Sequence, residues 1–161
     1  MKGEEPSREN TAVTDQSQRK GIRYEYRQRV TYCHTNAEGH VSPEEFARLF
    51  GMVRELFGQD CIPRFCEEAG KSYILKTRSA SYEYRQDFHF GDTITIRMVV
   101  AEVAGASFIL AAEFLNATTG EVHAHGRQEI VYADMMGRPR RLPPELREVL
   151  TNAAVPAGEI G

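Results

Sequence analysis

The chain has no run of about 18 apolar residues, the length a membrane-crossing helix needs. Its first 21 residues, MKGEEPSRENTAVTDQSQRKG, carry charge where a secretion signal holds an apolar stretch. A soluble, cytoplasmic protein is expected. Cysteine is scarce and odd in number, and Cys33, Cys61 and Cys66 have no histidine at zinc-site spacing. That excludes a disulfide scaffold and points to reduced thiols. Cys33 precedes His34, which invites a nucleophile, although a half-buried thiol at a strand end explains it as well. Lysine is nearly absent, four against sixteen arginines, and the net charge of −3 over 161 residues gives a nucleic-acid partner no electrostatic support. There is no glycine-rich phosphate loop and no Ser-His-Asp constellation. Of the five histidines, His123 and His125 read as ordinary sheet-face residues and His89 as turn-adjacent, so neither a metal nor a cofactor is expected.

What the chain does have is enough apolar residue, 41%, for the core of one domain. Residues 1–21 hold too few apolar side chains to offset the entropy of ordering and are expected to form a flexible tail. The domain is expected over 22–153, with a frayed end at 154–161. Residues 23–33, RYEYRQRVTYC, alternate aromatic or β-branched with charged residues, which predicts a half-buried strand. Residues 58–71 predict a loop with one helical turn. Strands are predicted over 72–86, 92–103, 107–115 and 121–134, with turns at Gly91-Asp92, Gly105 and Gly120. The short spacers make the last three antiparallel neighbours. An amphipathic helix over 143–152 closes the domain.

The most informative stretch is 34–55, HTNAEGHVSPEEFARLFGMVRE, a turn-prone loop running into a strongly amphipathic helix. Ser42 and Glu45 have capping-box spacing, and Pro43 stands at the first helical position. Phe46, Leu49, Phe50, Val53, Leu56 and Phe57 form one broad apolar face over 43–57. Along its edge, Ala47, Gly51 and Arg54 make a seam that a second backbone or a ligand could approach closely. A mid-helix glycine costs up to about 1 kcal/mol against alanine, so Gly51 is expected to have a packing reason. One helix cannot cover both faces of a five-stranded sheet, so the sheet must curl round it and a homo-oligomer is expected.

Thr35-Asn36 and Gly39 in the loop, Arg54-Glu55 on the helix, and Ser79-Ala80-Ser81-Tyr82-Glu83-Tyr84 leading to Phe90-Gly91-Asp92 carry a family resemblance over residues 23–150. In these features the chain resembles hotdog-fold acyl thioesterases of the 4-hydroxybenzoyl-CoA thioesterase-like group, and within it the thioesterases of enediyne polyketide pathways. The resemblance implies an α+β hotdog fold, a five-stranded antiparallel sheet wrapped round a central helix with a short C-terminal helix. It implies hydrolysis of a polyketide or fatty acyl thioester carried by an acyl carrier protein of a polyketide synthase or by coenzyme A. The site would be a tunnel at a subunit interface of a homotetramer built as a dimer of dimers.

On that pattern Asn36 positions water and Arg54 stabilises the carbonyl, while Gly39, Ala47, Gly51 and Tyr82 belong to the substrate-binding surface. Asparagine can orient water but is no strong base. His34 and His40 flank it, and either supplies the missing base or is an exposed loop histidine. The chain departs from the family pattern with His34 where an acid is usual and His40 where asparagine is usual. Pro43 replaces a residue whose backbone N–H polarises the carbonyl, and proline has no such donor. Arg138, Arg140, Arg141 and Arg147 are either a solvated surface or a seat for the phosphates of coenzyme A or a phosphopantetheine arm. Two other readings stay open, a hotdog dehydratase or cyclase using a histidine and a glutamate, and a non-catalytic acyl-binding module.

Overall fold

The computed structural model describes residues 21 and 23–156. The expected flexible tail lies outside them except for Gly21, whose N–H donates to the carbonyl of Asn152 at 3.1 Å. In chain order the elements are β1 (Tyr24–Arg29), a 3-10 turn (Tyr32–His34), α1 (Pro43–Cys61), α2 (Phe65–Glu68), β2 (Ile74–Tyr84), β3 (Thr93–Val103), β4 (Ser107–Asn116), β5 (Val122–Ala133) and α3 (Pro144–Ala153).

The strands form one antiparallel sheet in the order β1-β3-β4-β5-β2, with β1 and β2 at its edges. Side chains alternate across it. Ile94, Ile96 and Met98 on β3, Leu110 and Phe114 on β4, and Ala124 and Ile130 on β5 share the inner face and are fully buried. Phe46, Leu49, Phe50, Val53 and Phe57 on α1 meet them in one continuous core. This is the hotdog arrangement, a sheet curled round α1. Gly126 marks the closest approach: a Cβ there would stand 3.0 Å from the rings of both Phe50 and Tyr82. On the outer face Arg97 pairs with Glu25 at 2.7 Å and Glu113 at 3.5 Å, and beside them Val99 and Ala111 form a small apolar cluster with Val155.

Three segments differ from the sequence expectation. β1 stops at Arg29 because its antiparallel partner β3 begins at Thr93, and the chain beyond it folds into the 3-10 turn rather than continuing to residue 33. That leaves Cys33 exposed in a turn, not half-buried at a strand end. α1 runs through Gly58 to Cys61, because the Phe65 ring packs where a Gly58 side chain would be. Residues 154 and 155 are paired rather than frayed: Ala154 bridges Val100, and the buried Val155 donates its N–H to the Val100 carbonyl at 3.0 Å. Residues 157–161 lie outside the described residues. Among the described residues no helix is long and apolar enough to cross a membrane.

Candidate active site

Residues 34–42 close a tight loop at the N-terminus of α1. His34 is buried, and its Nδ1 accepts the backbone N–H of Thr31 at 2.9 Å. A ring nitrogen used this way holds the proton on Nε2 and closes the turn. Of the two readings left open for His34, an exposed loop histidine is therefore the wrong description. The Asn36 N–H donates to the His40 carbonyl at 2.9 Å, and Asn36 Oδ1 accepts the Glu38 N–H at 3.0 Å. That is an Asx turn, and it leaves the Asn36 amide NH2 and one Oδ1 lone pair for other partners. Gly39 takes φ +85°, a left-handed conformation that glycine adopts without strain. His40 Nε2 lies 2.7 Å from Glu38 Oε2, which holds the imidazole above its ordinary pKa. Its Nδ1 is buried with no partner among the described residues.

Pro43 opens α1 as expected, but the Ser42 hydroxyl makes no capping bond. Glu45 instead accepts from Arg48 Nε at 2.7 Å, a charge-assisted bond that outcompetes a neutral backbone donor. The first turn therefore keeps open donors, among them the Glu44 N–H, which has no partner among the described residues.

Arg54 sits three turns further on. Its Nη1 donates to Thr77 Oγ1 at 2.7 Å and to Gln128 Oε1 at 3.0 Å, while Gln128 Nε2 donates to the Tyr82 hydroxyl at 2.9 Å. Gln128 is only 5% exposed. Phe50 meets the Tyr82 ring edge to face at 6.4 Å. Both of Arg54's hydrogen-bond acceptors are neutral, and the adjacent Glu55 carboxylate acts on its charge through space without a direct ion pair among the described residues. Partial burial lowers its pKa, yet a guanidinium stays protonated in proteins. Burial likewise raises the Tyr82 phenol.

Arg54 and Glu55 border a cavity of about 200 Å³ whose other walls are apolar, chiefly Phe57, Ile62, Phe65, Phe108 and Leu110. Asn36, His40, Ala47 and Gly51 do not line it. From Pro43 to Arg54 the helix rises about 16 Å, so one protomer holds the Asn36 loop at the start of α1 and the Arg54 network three turns along it. Ala47 is exposed, and nothing lies within 4 Å of where a Gly51 Cβ would stand. The packing reason expected for Gly51 is therefore absent within the protomer. Sequence reasoning missed Gln128 and Thr77. Gln128 carried a signal, because it shares strand parity with the inward-facing Ala124, Gly126 and Ile130. Of the C-terminal arginines, Arg140 pairs with Asp134 at 2.8 Å and Arg147 donates to the Ala104 carbonyl at 2.7 Å.

A family model described as "Thioesterase-like superfamily" matches residues 30–150. The chain belongs to the thioesterase-like superfamily. No curated protein sequence matches it significantly. Among solved structures, the dynemicin thioesterase is 25% identical, covering 84% of this chain and 100% of its own, with a TM-score of 0.77. A 1,4-dihydroxy-2-naphthoyl-CoA thioesterase from Synechocystis is 15% identical, covering 80% of this chain and 96% of its own, at TM-score 0.72. A Staphylococcus aureus protein solved in complex with CoA is 14% identical, covering 86% of this chain and 87% of its own, at 0.77. The last two share the fold with this thioesterase-like domain; the first shares more of its sequence.

Proposed function

We propose that this domain hydrolyses an acyl thioester, with Asn36 of one protomer and Arg54 of a second converging on the bond. Water adds to the thioester carbon, the carbon–sulfur bond breaks, and the thiolate leaves with the proton that water gives up. Asn36 has an amide free to orient that water, and His40, in the same loop and paired with Glu38, is assigned the role of proton acceptor once its own proton is lost. Arg54 and the Glu44 N–H at the start of α1 supply donors to the carbonyl oxygen where Pro43 cannot. The observation that carries this reading is Arg54 itself, a charged group hydrogen-bonded only to neutral side chains among the described residues and bordering a largely apolar cavity.

Two features favour a second copy. The edge strand β2 presents 11 residues with an unpaired, largely exposed backbone, which a symmetric dimer would cover. The Ala47–Gly51 seam is open beside it for another backbone or for substrate. Gly39 and Tyr82 would flank the bound acyl group. A polyketide or fatty acyl chain on an acyl carrier protein or on coenzyme A fits the reading, with a dimer of dimers as the full assembly. The test is release of free thiol from acyl-N-acetylcysteamine, acyl-CoA and acyl-carrier-protein substrates. A dehydratase or cyclase, to which the close His40–Glu38 pair lends support, would release none, and neither would a binding module.

A further inference from the structure

Phe65 opens α2, and its ring packs against Gly58 in the last turns of α1. Three of its ring carbons stand 2.7 to 2.9 Å from the position of a Cβ at residue 58, so nothing larger than hydrogen fits beneath it. The same ring forms part of the wall of the cavity beside Arg54. Its backbone support is specific. Arg64, just before it, takes φ 55°, ψ 24°, a left-handed conformation unusual for a non-glycine residue. The Arg64 guanidinium pairs with Glu68 across α2 at 3.0 Å and reaches Glu145 on α3 at 3.6 Å. The Phe65 wall is thus pinned at both ends, against the glycine on α1 and through Arg64 to α3.

We propose that Phe65, seated on Gly58, sets the length of acyl chain the cavity accepts. This deepens the thioesterase reading and rests on it, since the cavity is taken to hold the apolar end of the acyl group while Arg54 meets the polar end. An apolar cavity of about 150 Å³ holds a benzene ring, so one of about 200 Å³ takes a chain on the order of six to eight carbons. Removing the ring opens the wall. A methyl group at residue 58 acts the other way, because the ring it displaces moves toward the space it borders.

The test compares saturated acyl-CoA thioesters from butyryl to palmitoyl, following free thiol, for the wild type and for Phe65→Ala, Phe65→Leu and Gly58→Ala. Burying each added methylene raises kcat/KM about fourfold until the cavity is full. The wild-type rise is expected to stop at medium chain length. Phe65→Ala should move the stop to longer chains, Phe65→Leu should move it the same way by less, and Gly58→Ala should move it to shorter chains. Phe65→Leu keeps the test valid if the alanine variant fails to fold. Calorimetric binding of the matching free fatty acids, butyrate to palmitate, needs no turnover. If no thioester is cleaved, the thioesterase reading falls, and the chain length at which affinity stops rising still tests Phe65. A stopping point unchanged in all three variants, in turnover and in binding, overturns the proposal.

Discussion

Gln128→Leu removes a buried side chain that ties Arg54 to the sheet. Arg54 keeps its 2.7 Å bond to Thr77 and loses the 3.0 Å bond to Gln128, and Tyr82 loses a 2.9 Å donor. A hydrogen bond to a charged group contributes about 1.5–3 kcal/mol, with the low end appropriate to a half-exposed arginine, and the bond to Tyr82 contributes about 1 kcal/mol. Leucine in the same buried place returns about 1–1.5 kcal/mol. The net loss is about 1–1.5 kcal/mol, a melting temperature lower by roughly 2–6 °C for a domain of this size. The effect on chemistry should be larger in proportion, because a displacement of the order of 1 Å in a positioning group lowers rate about a hundredfold. Thiol-release kinetics, with thermal melts alongside, should show kcat/KM down about ten- to a hundredfold in a protein that remains folded. In an Arg54→Ala background, Gln128→Leu should lower the rate no further. If Gln128→Leu melts lower but turns over like the wild type, Gln128 is a packing residue only and the positioning argument is wrong.

Gly126→Ala forces a methyl group between Phe50 and Tyr82 and should destabilise by about 1–3 kcal/mol in urea unfolding; an unchanged midpoint would show that α1 can retreat freely. His40 should titrate by NMR above 6.5, and Glu38→Gln should bring it back, because the Glu38 bond is the main cause of the rise. A raised folded pKa adds stability that is present below the ordinary imidazole value and lost as pH rises through the folded one. Asp134 has the opposite sign. Its carboxyl is held low first by the Arg138 N–H and then by Arg140. Asp134→Asn should therefore lose stability above the ordinary carboxylate pKa, and the difference should vanish as pH falls through the folded value; a pH-independent difference would refute it.

The parts of the fold readable from sequence were those specified by local pattern. Strands β3, β4 and β5 announce themselves by β-branched alternation and turn glycines, two of which, Gly91 and Gly120, take positive φ. The start of α1 was legible from Pro43, and the apolar face from Phe46 onward. What failed depended on contacts distant in sequence. The extension of α1 beyond Phe57 rests on Phe65 covering Gly58, which no local rule foretells. The His34 ring is turned inward by a bond to Thr31 that exists only once the 3-10 turn forms. For the site, Arg54 was chosen for its place beside a groove, and it does border a cavity, but the cavity lies toward α2 rather than beside Gly51. The partners of Arg54 come from β2 and β5, the edge pairing least evident from chain order.

The shared-site claim is tested most directly by mixing two impaired proteins. Asn36→Ala and Arg54→Ala should each lower thioester hydrolysis tenfold or more. Unfolded together and refolded, they should regain about a quarter of wild-type activity, since half of the random dimers are mixed and each carries one intact site of two. Activity no higher than that of the separate variants would contradict the shared site.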